Sequence, residues 1–182
     1  MILPVVIVTL DGTSPDIDRD VSAANVIWGN DCEVWIDVLE RVVANRPDLL
    51  ILSQADCLAT GHIVSDEEDE LYSIGRGLGA DVVAYYIESS SFGSNVLGCA
   101  AHPPDRRGFW TVDDSSFDFV WAHEATHVVG NNGHVANTDT DNLMLAFASG
   151  VTNLPPDLND EQCLKIIDDK ALLSIESIVL NL

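Results

Sequence analysis

The sequence predicts an α/β (α+β) domain, on three observations. Val- and Ile-rich stretches of strand character alternate with segments whose apolar residues recur at helical spacing. Strands and helices mix in the first two thirds, and the last third reads helix, long loop, helix. The length of 182 residues suits one domain over 1–182, with an upper part over 1–130 and a lower part over 131–182 around a cleft.

Ile2 to Thr9 is a run of Val and Ile and reads as a buried first strand. Ile17, Val21, Ala24 and Trp28 fall on one helical face, so a helix is expected from Asp16 to Trp28. Cys32 to Val43 alternates at Val34, Ile36 and Val38 and reads as a second strand. Pro47 to Ser65 reads as loop with a short extended piece, Leu49 to Leu52. The acidic run Asp66 to Glu70 suits a helix N-terminus, and Leu71, Ile74 and Leu78 carry that helix to Gly79. Strands follow at Asp81 to Glu88, Asn95 to Ala101 and Phe109 to Val112. Ser115 or Ser116 can cap the next helix, with Asp118 in capping-box position, and Gly130 ends it. A last helix starts near Asn159 or Asp160 and carries Cys163, Ile166, Ile167 and Leu172.

The formal net charge of −22 leaves Lys165 and Lys170 as the only lysines. Such a surface repels phosphate, so neither nucleic acid nor an anionic membrane is expected as partner. Met1 to Leu10 is too short to span a bilayer, lacks a basic leader region and runs into Asp11-Gly12. The four cysteines (Cys32, Cys57, Cys99, Cys163) form no CxxC. Two disulfides or four buried thiols are both open.

The chemistry concentrates in His123-Glu124-Ala125-Thr126-His127. Two histidines four apart on a helix lie one turn above the other on one face and can hold a single metal ion. Glu124 lies about 100° around from His123, within reach of a water on that ion. Gly130 lets the chain leave the helix sharply, and the turn formers Asn131-Asn132-Gly133 can bring His134 back as third ligand. Three protein ligands leave a fourth position for water, which suits zinc-assisted hydrolysis with Glu124 as general base and acid.

His123-Glu124-x-x-His127-x-x-Gly130…His134, followed by Asn142-Leu143-Met144, resembles the metzincin zinc metallopeptidases. The resemblance implies a metzincin-like zincin fold: a twisted mixed sheet, an active-site helix, a Met-turn at Met144 and a C-terminal helix. It implies an edge strand over Gly98, Cys99, Ala100 and Ala101 that pairs with an extended peptide or protein substrate. It also implies that Leu145 to Leu154 lines the pocket for the residue after the scissile bond. The resemblance favours a secreted protein, the residues themselves leave the compartment open, and a monomer is expected. Two features depart from the family pattern. Three residues rather than two separate Gly130 from His134, and Leu145, Ala146 and Phe147 follow Met144 where some members carry a tyrosine.

Two rival readings remain. In a gluzincin-like hydrolase Glu161 would be the third ligand, and a non-catalytic metal- or protein-binding relative would keep the fold without turnover. The intact Glu124 speaks against the second. Asn137, Asp139 and Asp141 alternate as calcium ligands do, but their loop lacks the central glycine and has Ala148 at the twelfth position. His62 and His102 read first as polar surface, with His102 at the border of the cleft. The four tryptophans read as core or core-edge.

Overall fold

A computed structural model describes residues 1–53, 57, 62–91 and 96–174. Among them, a five-stranded sheet runs in the order β2-β1-β4-β7-β6. Its strands are β1 (Ile2–Leu10), β2 (Trp35–Ala44), β4 (Val82–Ile87), β6 (Gly98–Cys99) and β7 (Gly108–Val112). β1 is parallel to β2 and β4, and β4 is parallel to β7. Only β6 is antiparallel, at the end of the sheet beside β7. A small parallel pair, β3 (Ile51–Leu52) with β5 (Ser89–Ser90), lies apart.

Strands covered on both faces read as near-continuous apolar runs, and β1, β4 and β7 do. Their side chains alternate between two separate cores. Leu3, Val5, Ile7, Val82, Ala84, Tyr86 and Phe109 face one core, with Trp28, Trp121, Met144 and Ile166. Val6, Val8, Val83, Tyr85, Ile87 and Trp110 face the other, with Leu71 and Tyr72. The first core therefore carries helices α1 (Ile17–Cys32), α3 (Val120–Val128) and α4 (Asp160–Ile167), and the second carries α2 (Asp66–Ile74). Trp28, Trp110 and Trp121 are buried, while Trp35 stands 44% exposed on the edge strand β2. No helix among the described residues is long and apolar enough to cross a membrane.

Several boundaries differ from expectation, each for a local reason. α1 continues past Trp28 to Cys32, because its last turn is held from outside. Asp31 accepts a hydrogen bond from the Leu158 amide, and Cys32 is bonded to Cys163 of α4. The second bonded pair is Cys57–Cys99, so all four cysteines are paired. α2 stops at Ile74, and the chain beyond it closes in tighter turns, the Arg76 amide donating to the Ser73 carbonyl and the Leu78 amide to the Gly75 carbonyl. Its N-terminus carries a complete Ser65–Glu68 capping box. α3 starts only at Val120, with no side-chain cap. The predicted Ser115–Asp118 box does not form, since the Ser115 hydroxyl bonds both the amide and the carbonyl of Phe117. Such short local bonds compete with helix capping. α4 ends at Ile167, so Leu172 lies beyond the helix. The expected strand Asn95–Ala101 narrows to Gly98–Cys99, and Asn95 lies outside the described residues, as does most of 54–61.

Candidate metal centre

α3 brings His123, Glu124 and His127 to the cleft. The helix is apolar on most of its surface, and Val120, Trp121, Ala122, Ala125, Thr126 and Val128 are all buried. It is tied to α1 where the Trp28 indole donates to the Thr126 hydroxyl at 3.0 Å, and that hydroxyl donates back to the Ala122 carbonyl. Thr126, one of the two free positions of the motif, thus fixes the helix that bears the histidines. After Val129 the chain turns out of the helix at Gly130 (φ 83°) and stays left-handed at Asn131 (φ 51°). A side chain at Gly130 would meet the α4 backbone, 2.7 Å from the Lys165 carbonyl carbon. Only glycine accommodates both demands.

The loop returns His134 to face the helix. The three Nε2 atoms stand 3.1 Å (His127–His123), 3.1 Å (His127–His134) and 3.3 Å (His123–His134) apart. Tetrahedral zinc with ligands at about 2.0–2.1 Å needs neighbouring ligand atoms about 3.3 Å apart, so this triangle fits such an ion. The extra residue before His134 is taken up in the Asn131-Asn132-Gly133 turn.

Two imidazoles are locked in the tautomer a metal needs. His123 Nδ1 bonds the Leu143 carbonyl at 2.7 Å, and His127 Nδ1 bonds the Asn132 carbonyl at 2.6 Å. Nδ1 therefore carries the proton and Nε2 points its lone pair inward. Burial pushes the His123 pKa down to about 4 and the His127 pKa down to about 3, and it lowers His134 as well. All three are neutral near pH 7, so an arriving cation displaces no proton from them. Burial raises Glu124 to about 8. A cation beside that carboxylate would favour its ionised form.

Met144 is fully buried below this cluster. Its carbonyl accepts from the Val135 amide, next to His134. Its neighbour Leu143 supplies the acceptor for His123. On the other side of the cluster, a Cβ at Gly98 would come within 2.6 Å of Glu124 Cγ. The end strand β6 therefore lies directly against the carboxylate. Ala100 and Ala101 continue from it outside the strand, and Ala101 is held by the Tyr72 hydroxyl at 2.6 Å.

A cleft of about 620 Å³ opens at the three histidines and Glu124. Phe117, Phe119, Val120, Leu145, Phe147 and Ala148 give it apolar walls. Of the segment expected to line it, only Leu145 to Ser149 does so, and Leu154 lies 69% exposed elsewhere. A second depression lies beyond His127, where His62 and His102 meet edge to face at 5.1 Å. His102 is buried rather than surface, as its ring bonds the Pro103 carbonyl.

Glu161 is no part of the cluster. It is exposed and paired with Lys165 one turn on, so the gluzincin-like arrangement is not formed. Asn137, Asp139 and Asp141 gather no third metal-ligand group among the described residues. Asp141 instead accepts from the Thr152 hydroxyl. Sequence reasoning did not find the roles of Asn132, Leu143 and Thr126. Two of them act through main-chain carbonyls, which residue identity does not advertise.

No protein-family model matches this sequence, and no curated protein matches it. Solved structures do match in fold. Metalloproteinase-II from Bacteroides fragilis superposes with a TM-score of 0.63 at 13% identity, over 95% of this chain and 54% of that one. A chain from a chaperone–substrate complex matches at 0.60 and 10% identity, over 93% of this chain and 34% of that one. Archaemetzincin from Methanopyrus kandleri matches at 0.54 and 18% identity, over 91% of this chain and 93% of that one. This chain thus spans about half and a third of the first two and nearly all of the third. The fold is the mixed α/β fold of these metzincin-like neighbours, with a mostly parallel sheet and the helices described above.

Proposed function

We propose that this protein is a zinc-dependent peptidase in which His123, His127 and His134 hold the metal and Glu124 is the general base and acid. The observation that carries this reading is the triangle of Nε2 atoms at 3.1–3.3 Å, with the Glu124 carboxylate buried beside it. When bound, zinc supplies Lewis acidity, which lowers the pKa of water and polarises a carbonyl.

The chain's own residues do the rest. An extended peptide adds alongside β6, the end strand of the sheet among the described residues, at Gly98 and Cys99 through main-chain hydrogen bonds. Its side chain after the scissile bond enters the apolar cleft beside Phe117, Phe119 and Leu145. Glu124, packed against Gly98, accepts the proton of the attacking water and later delivers it to the leaving amine. The walls exclude bulk water and strengthen these electrostatic contacts. Met144 supports the third ligand through Val135. The two metalloproteinase-like neighbours support the reading through their fold.

The test is zinc content and hydrolysis of a peptide library for wild type, Glu124→Gln and His134→Ala. Wild type should hold one zinc per chain and cut peptides. Glu124→Gln should keep zinc and lose on the order of 10²–10⁴ in kcat, and His134→Ala should bind zinc far more weakly. Equal zinc affinity for His134→Ala and wild type would put the third ligand elsewhere. Zinc binding without cleavage of any peptide would favour the non-catalytic relative.

A further inference from the structure

Gln162 sits at the third position of α4, inside the helix cap: its amide accepts from the Asn159 backbone at 2.8 Å. A capping residue of this kind needs only that one bond. Besides the two bonds of the cap, Gln162 makes three toward the metal centre. Its side chain pairs head to tail with the Asn142 amide, donating and accepting at 3.0 Å in each direction. The same Asn142 oxygen accepts from the Met144 backbone amide at 2.9 Å. The Gln162 main-chain carbonyl accepts from the Asn132 side-chain amide at 3.3 Å.

Each of these partners touches the support of a histidine. Asn132 supplies the carbonyl that bonds His127 Nδ1. Leu143, between Asn142 and Met144, supplies the carbonyl that bonds His123 Nδ1. Met144 holds the Val135 amide, adjacent to His134. Asn132, Asn142 and Gln162 are all buried, and buried amides without partners carry a cost; the Asn142–Gln162 pair is satisfied in both directions, while among the described residues Asn132 uses its amide nitrogen and leaves its side-chain oxygen without a partner. One residue on a separate helix therefore bears on the supports of all three imidazoles. The neighbouring Cys163, bonded to Cys32, ties α4 to α1 next to Gln162.

We propose that Gln162 is a positioning residue for the metal centre, its side chain acting through Asn142 on the supports of His123 and His134 and its main-chain carbonyl through Asn132 on that of His127. The proposal rests on the metal reading above. Outer partners of this kind change metal affinity by about 10–100-fold when removed. The experiment compares wild type, Gln162→Leu and Asn132→Ala as purified, disulfide-intact proteins. Zinc affinity is measured by chelator competition, and the visible spectrum is recorded after cobalt(II) substitution. Thermal stability of the metal-free proteins is measured in parallel. Gln162→Leu is expected to bind zinc about 10–100-fold more weakly and to shift the cobalt bands. Asn132→Ala leaves the α4 cap intact, and it should give a smaller change in the same direction. It carries the test alone if Gln162→Leu does not fold. Lower thermal stability with unchanged zinc affinity and cobalt spectrum in the folded variants would make the network merely structural and overturn the proposal. Wild type that binds no zinc would instead remove the metal reading itself, and the proposal with it.

Discussion

Three glycines allow the contact between α4 and the metal loop to be weighed by one substitution, glycine to alanine. At Gly133 the added methyl would meet nothing within 4 Å, and the backbone is not left-handed. Only the unfolded chain is affected there, so Gly133→Ala should stabilise by about 0.4–1 kcal/mol. At Gly77 (φ 84°) the methyl again has open space, but the conformation is left-handed. That costs about 1–2 kcal/mol, part of it offset by the same unfolded-state gain. At Gly130 (φ 83°) the methyl would lie 2.7–2.9 Å from Lys165 and Ile166 backbone atoms, which cannot rotate away. Overpacking adds about 1–3 kcal/mol, for a net loss of about 2–4 kcal/mol. Urea unfolding followed by tryptophan fluorescence reads all three, disulfides intact. With a slope of about 2 kcal/mol/M, the Gly130→Ala midpoint should fall by about 1–2 M, with the slope unchanged. A Gly130→Ala protein within about 0.5 kcal/mol of Gly77→Ala would refute the claim that α4 presses on the loop where it leaves α3.

Other outcomes are expected. The Cys32–Cys163 bond spans 131 residues, and in the chain-entropy view its loss by Cys163→Ser costs about 5 kcal/mol, read as a lower urea midpoint. Arg107 and Asp169 form a doubly bonded pair with side chains 13% and 12% exposed, and Asp169 also accepts from the Gly130 and Ala171 amides. Burial alone would raise the Asp169 pKa, but these bonds outweigh it and hold the value below the ordinary carboxylate range. A lowered folded pKa means the stabilisation is whole above the unfolded value of about 3.9 and drains as pH falls through the folded one. Asp169→Asn should thus be about 3–5 kcal/mol less stable than wild type at pH 7, and the gap should narrow in unfolding curves taken below pH 4. Gly98→Ala should keep its zinc and lower kcat on the order of 10²-fold, because its methyl would displace the Glu124 carboxylate; unchanged kcat would show that β6 yields freely.

The motif helix was legible because its chemistry is local. His123, Glu124 and His127 take their relative places from helix periodicity alone, and Gly130 marks the exit by backbone conformation. The buried strands were legible for a similar reason: β1 and β4 are covered on both faces and carry almost nothing polar. The edge strand was not. Gly98–Cys99 is cut short by where β7 pairs with it, which no local pattern records. The start of α3 was misjudged because Ser115 spends its hydroxyl on Phe117, two residues away, rather than on a helix amide. The disulfide pairing and the Asn142–Gln162 amide pair join residues brought together only by the fold, and amides look the same in sequence whether they face water or each other.

The Cys32–Cys163 bond makes most of the molecule a closed covalent ring, with the smaller Cys57–Cys99 ring nested inside it. Every residue of the candidate site from Gly98 to Gln162 belongs to that outer ring. A single cut anywhere in the exposed loop around Asn137 to Asp141 opens the ring but releases nothing. His134 stays within the same molecule as His123 and His127. A chain nicked there would stay one disulfide-held molecule and divide only on reduction, so an apparently intact band on a non-reducing gel counts cut and uncut molecules together.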